Sequence, residues 1–78
     1  MNIDFNSVLE STYAKLRFIR NDETNMKTFL SDKIILYLFS KESGKKYLNV
    51  NSYWDNVYSN LTNTERLNLI LKIINKGL

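Results

Sequence analysis

Seventy-eight residues with no cysteine, no histidine and no proline bound a single domain over 1-78 and exclude disulfides, thiolate chemistry and the usual zinc ligands. At 44% hydrophobic and 13% aromatic content with a net charge of +3, the chain is too apolar for disorder, and no apolar run approaches the ~18 residues of a membrane span. Glycine occurs only at Gly44 and Gly77, too little punctuation for a many-turned β-fold, so the expected class is all-α: a small single-domain helical bundle of four or more helices.

The start, Met1 to Phe5, lacks the basic then apolar order of a signal peptide, and a cytoplasmic protein is expected. A first helix is predicted from about Asn6 to Arg20, capped by Asp4 or Asn6. Phe5, Leu9, Thr12, Leu16 and Ile19 fall on one stripe at helical spacing, with Val8 and Tyr13 at its borders, and this stripe should face the core. Phe18 projects to the opposite side, flanked in sequence by Arg17 and Arg20. An aromatic among arginines has the composition of a binding hot spot, although a lone exposed aromatic is also ordinary.

Asn21 to Asn25 is a polar turn that opens a second helix running through Met26, Phe29 and Leu30 to about Ser40. Its centre, Ile34-Ile35-Leu36-Tyr37-Leu38-Phe39, is apolar all round, because four residues cover every face of a helix. Part of that surface must pack inside and part must be covered by something else. Lys41 to Lys46 then forms a turn centred on Gly44, the place for a left-handed helix cap. Ser52 is the expected cap of a short third helix from Tyr53 to about Asn60, with Trp54 as a core plug. Thr62 and Glu65 have capping-box spacing ahead of Leu67, Leu69-Ile70-Leu71, Ile73 and Ile74, and Gly77 supplies the stop.

Chemistry is marked mainly by absences. General acid–base catalysis usually needs a histidine or a buried carboxylate pair. The eight acidic residues sit at predicted caps, turns or helix exteriors, so no enzyme and no cofactor is expected. Gly44-Lys45 lacks the preceding glycine and following hydroxyl of a phosphate loop. Nucleic-acid binding through Lys15, Arg17, Arg20, Lys41, Lys45 and Lys46 is an alternative, weakened by the modest charge. A helix-turn-helix can be drawn from Ser52 to Ile74, leaving only Arg66, Asn68, Lys72 and Asn75 to face bases.

Residues 44–77 carry the pattern Gly44-Lys45-Lys46, Leu48-Asn49, Asn51-Ser52-Tyr53, Val57, Leu61-Thr62, Leu69-Ile70 and Asn75-Lys76-Gly77. In this the chain resembles the AsiA-type anti-sigma family of T-even phages, and Leu16-Arg17-Phe18-Ile19-Arg20 is similar to the end of that family's first helix. The resemblance implies a six-helix-type bundle that acts in the cytoplasm of a host cell. There it would bind the primary sigma factor of RNA polymerase, keep it from reading the −35 element, and otherwise self-associate as a homodimer. It places the partner contact on Arg17, Phe18 and Arg20 of the first helix and on Ile34, Ile35, Leu38 and Phe39 of the second. Two features depart from the family, which runs acidic where this chain is basic, and which continues past the position of Leu78.

Overall fold

A computed structural model describes residues 5–76, with side chains from Glu10 to Lys76. Five α-helices follow one another: α1 (Phe5–Ile19), α2 (Glu23–Leu30), α3 (Lys33–Glu42), α4 (Val50–Asn56) and α5 (Asn63–Lys76), with a 3₁₀ turn at Tyr58–Asn60 before α5. No strand occurs among the described residues, and the all-α class is established. The expected cap at Asp4 and the stop at Gly77 lie outside the described residues, as do the side chains of Phe5, Asn6, Val8 and Leu9, while α1 already includes Asn6, so that residue is not its cap.

The long second helix of the sequence reading is two helices. Ser31 closes α2 by donating from its hydroxyl (2.5 Å) and its amide (3.2 Å) to the Thr28 carbonyl. Asp32 then takes an extended conformation, and its carboxylate accepts from the amides of Ile34 (2.9 Å) and Ile35 (3.3 Å), which starts α3. Serine and aspartate compete with helical hydrogen bonding in this way, and two in succession suffice to break the helix. The break lets α2 pack on α1 and α4 while α3 packs on α5.

Other boundaries follow local chemistry. Asp22 caps α2 by accepting from the Asn25 amide at 3.1 Å. The cap of α4 is Asn49 rather than Ser52, since Asn49 Oδ1 accepts from the amides of Asn51 (2.8 Å) and Ser52 (3.1 Å) and draws the helix start forward to Val50. Thr62 and Glu65 form the expected capping box: the Thr62 amide donates to Glu65 Oε1 (3.0 Å) and the Glu65 amide to Thr62 Oγ1 (3.1 Å). After α3, Gly44 sits at φ +93°, and the Gly44 and Lys45 amides donate to the carbonyls of Lys41 and Ser40, the paired bonds of a Schellman cap.

The core is contributed by every helix. Leu16 and Ile19 of α1 meet Met26 and Leu30 of α2, Leu36 and Phe39 of α3, and Leu69, Ile70 and Ile73 of α5. Each such side chain contributes about 1.5–3 kcal/mol by leaving water. Trp54 is buried as expected, in an aromatic cluster where its ring centroid lies 4.8 Å from that of Tyr58, with Tyr53 a further 6.3 Å from Tyr58. Both tyrosine hydroxyls have partners: Tyr58 donates to the Arg20 carbonyl at 2.5 Å, and Tyr53 shares a hydrogen bond with Ser43 at 3.0 Å. Burial pushes the Tyr53 phenol up to about 12 and moves Tyr58 the same way.

Candidate interaction surface

The exposed apolar residues come from two helices and one loop. Phe18 stands on the side of α1 opposite Leu16 and is 91% exposed. Arg17 is exposed beside it, its guanidinium 5.7 Å from the Tyr13 ring centroid. On α3, Lys33, Ile34, Tyr37 and Lys41 share one outward face, being spaced at i, i+1, i+4 and i+8. Ile34 is 69% and Tyr37 44% exposed, and Leu48 in the following loop is 87% exposed.

The seven residues singled out by sequence therefore separate. Arg17, Phe18 and Ile34 reach solvent freely. Leu38 is half-buried beside Ile73, lining a groove with Lys41 and Lys76. Ile35 is also half-buried and faces another groove, between α1, α2 and the start of α3, with Ile19 and Phe29.

Phe39 is a correction: it is fully enclosed at 0% exposure, with its ring edge-on to Phe29 at 6.5 Å, and so is not available to a partner. In a run that is apolar on every side, the break at Ser31–Asp32 sets which residues turn inward, and these are Leu36 and Phe39. The run is thus enclosed along one side only, as its excess of apolar surface requires.

Arg20 is half-buried and employed within the chain. Its guanidinium donates to Asn63 Oδ1 at 2.7 Å and to the Arg17 carbonyl. Asn21 Nδ2 donates to the same Asn63 oxygen at 3.0 Å, and Arg66 donates to Asn21 Oδ1 and to the Tyr58 carbonyl, each at 3.1 Å. This network joins the end of α1 to the start of α5. Arg66 lies over Tyr58, 4.5 Å from the ring centroid, and its Nε is buried without an acceptor. The residue that would lead a DNA-reading α5 is consequently turned inward, while Asn68, Lys72 and Asn75 remain exposed.

The cations considered together as a patch divide into two groups. Lys15 and Arg17 lie over Phe29 and Tyr13. Lys41 and Lys46 lie over Tyr37, and Lys45 over Tyr47. Sequence reasoning missed Tyr37 and Leu48, although Lys33 and Lys41, one turn before and one after Tyr37, mark that side of the helix as the wet one. No group of His, Cys, Asp or Glu among the described residues is arranged to hold a metal ion, and no described helix is long and apolar enough to cross a membrane. Comparison with known proteins finds no matching family model, no matching curated protein and no matching solved structure.

Proposed function

We propose that this chain is a non-enzymatic, phage-type modulator that binds the primary sigma factor of a host RNA polymerase in the host cytoplasm through α1 and α3. One observation carries the protein-binding part: Phe18 and Ile34 keep 91% and 69% of their surface in water on two different helices of a domain with little surface to spare. Covering them with another protein removes that exposure, and a standard contact buries about 800 Å² on each side.

The sigma identity draws its support from the resemblance over residues 44–77 and around Phe18. In this reading Arg17 and Phe18 on α1, and Ile34 with the border residues Ile35 and Leu38 on α3, touch the partner. Arg20 positions the end of α1, and Phe39 holds α3 from behind. With its −35-reading region covered, the sigma factor loses promoters that depend on that element. The same apolar surface would pair two copies as a homodimer when no sigma factor is present.

Co-purification with bacterial RNA polymerase holoenzyme, and with the isolated −35-reading region of sigma, tests the proposal. Retention by the wild-type chain and loss with Phe18→Asp is the expected outcome. Failure of the wild-type chain to retain either one ends the sigma assignment. Sedimentation equilibrium at micromolar concentration tests the homodimer, which a purely monomeric species rejects.

A further inference from the structure

Four lysines gather where α3 meets the loop that follows it. Lys33 and Lys41 flank Tyr37 on the outward face of α3. Lys41 Nζ lies 5.9 Å, and Lys46 Nζ 5.8 Å, from the Tyr37 ring centroid, and Lys45 Nζ lies 5.5 Å from that of Tyr47. Glu42, the one carboxylate of α3, is engaged with Lys76 at 2.7 Å. None of the four lysines forms an ion pair among the described residues. Between α3 and the loop runs an open groove of about 300 Å³, lined by Lys33, Leu36, Tyr37, Lys46, Tyr47 and Leu48.

We propose that this groove docks an acidic segment of a partner protein, with one apolar side chain entering between Tyr37 and Leu48 and flanking carboxylates meeting Lys41, Lys45 and Lys46. Charge complementarity selects the acidic character, since ammonium groups with no anion of their own steer and hold carboxylates. The hydrocarbon selects a peptide. Leu48 is 87% exposed at the rim, and Ile34, on the same face of α3 as Tyr37, is 69% exposed; a phosphodiester backbone covers neither. A base stacked on Tyr37 would need the space over the ring that the two ammonium groups occupy. A flat anionic membrane would leave the concave part of the groove unfilled. The inference goes beyond the function proposed above, because neither Phe18 nor a sigma factor enters it.

The test is to pan a displayed library of random dodecapeptides against the whole chain and measure the selected peptides by fluorescence anisotropy at low and moderate salt. Variants Lys45→Glu with Lys46→Glu, and separately Leu48→Ser, are compared with wild type after circular dichroism has established equal helicity. All three positions are exposed, and two independent variants guard against the misfolding of either. Selected peptides are expected to place acidic residues beside Leu, Phe or Trp. Charge reversal should weaken them about tenfold or more, with binding that falls as salt rises, and Leu48→Ser should weaken them at both salts. Phe18→Asp should bind them as wild type does. The proposal is overturned if no peptide is enriched, if the selected peptides lack acids, or if both groove variants bind them as wild type does. It is equally overturned if oligodeoxythymidine or phosphatidylserine vesicles bind the chain where acidic peptides do not.

Discussion

Arg66 and Lys46 both lie over a tyrosine ring, at 4.5 Å from Tyr58 and 5.8 Å from Tyr37 respectively, yet the two pairs stand in opposite surroundings. Around Arg66 the ring is buried, and the guanidinium is committed to Asn21 and the Tyr58 carbonyl. Around Lys46 the ring is half open and the ammonium group has no anion within the described residues. A cation on an aromatic ring gains about 0.5–1 kcal/mol at an exposed site and ~2 kcal/mol when desolvated. The difference lies in what the remaining donors do. Where the chain itself satisfies them, the pair is a fastening, and where solvent does, it is available to something else.

The contrast between enclosed and open residues is sharpest within α3 and α1. Phe39→Ala should destabilise the fold by about 3–5 kcal/mol, a large share of what so small a domain possesses. Phe18→Ala should change stability by no more than about 0.5 kcal/mol. Urea unfolding followed by circular dichroism measures both, and equal losses would erase the distinction between the two phenylalanines. Next in size, Arg66→Ala removes two hydrogen bonds and the stacking on Tyr58, and should cost roughly 2 kcal/mol. Lys46→Ala should stay within about 0.5 kcal/mol, and a comparable loss there would mean that the loop lysines fasten the fold too.

Smaller still is Gly44→Ala. Open space surrounds the glycine, so the whole effect arises from placing a side chain at φ +93°, about 1 kcal/mol in thermal or urea melts. A change near zero would show that the Schellman cap relaxes without cost.

The smallest effect is a dependence on pH. Hydrogen bonds from Thr62 hold the Glu65 carboxyl below the usual glutamate range, and the hydrogen bond from Lys76 does the same for Glu42. A carboxyl whose folded value is lowered stabilises the fold above its unfolded value, and that contribution fades as pH falls through the glutamate range. Melting temperature should therefore decline over that acid interval, and less so in Glu65→Gln. An unaltered decline in that variant would assign the acid sensitivity elsewhere.

Several features of this arrangement are plain in the sequence because a single residue type decides them. Gly44 marks a positive-φ cap, Thr62 with Glu65 marks a helix start, and Leu16 with Ile19 marks a buried stripe. The break at Ser31–Asp32 is harder to read, since good helical sequence continues on both sides and only paired local hydrogen bonds favour interruption. Asn49 and Ser52 are both competent caps, and the earlier start brings Val50, partly buried against the core, into the helix. Phe39 and Tyr37 are two residues apart in an unbroken apolar run, so periodicity separates their sides but does not say which is inner. Of the surface proposed to bind a partner, Phe18 beside Arg17 was legible by spacing and composition, whereas Ile34 entered only through the resemblance, together with Ile35 and Leu38. The assignment of Arg20 to a network with Asn63 depends on a contact between chain positions that no local pattern encodes.

The interruption at Ser31–Asp32 also bears on how such a chain can change over generations. Within α3, one inserted residue would rotate everything after it by about 100°, putting Leu38 in the place of Phe39 and Phe39 in the buried place of Ser40. The same insertion placed in the short link between α2 and α3 leaves each helix in phase with its own neighbours. The link therefore tolerates drift in length that the helices do not, and the outward side of α3 can be reshaped for a new target while the inner side keeps its fit.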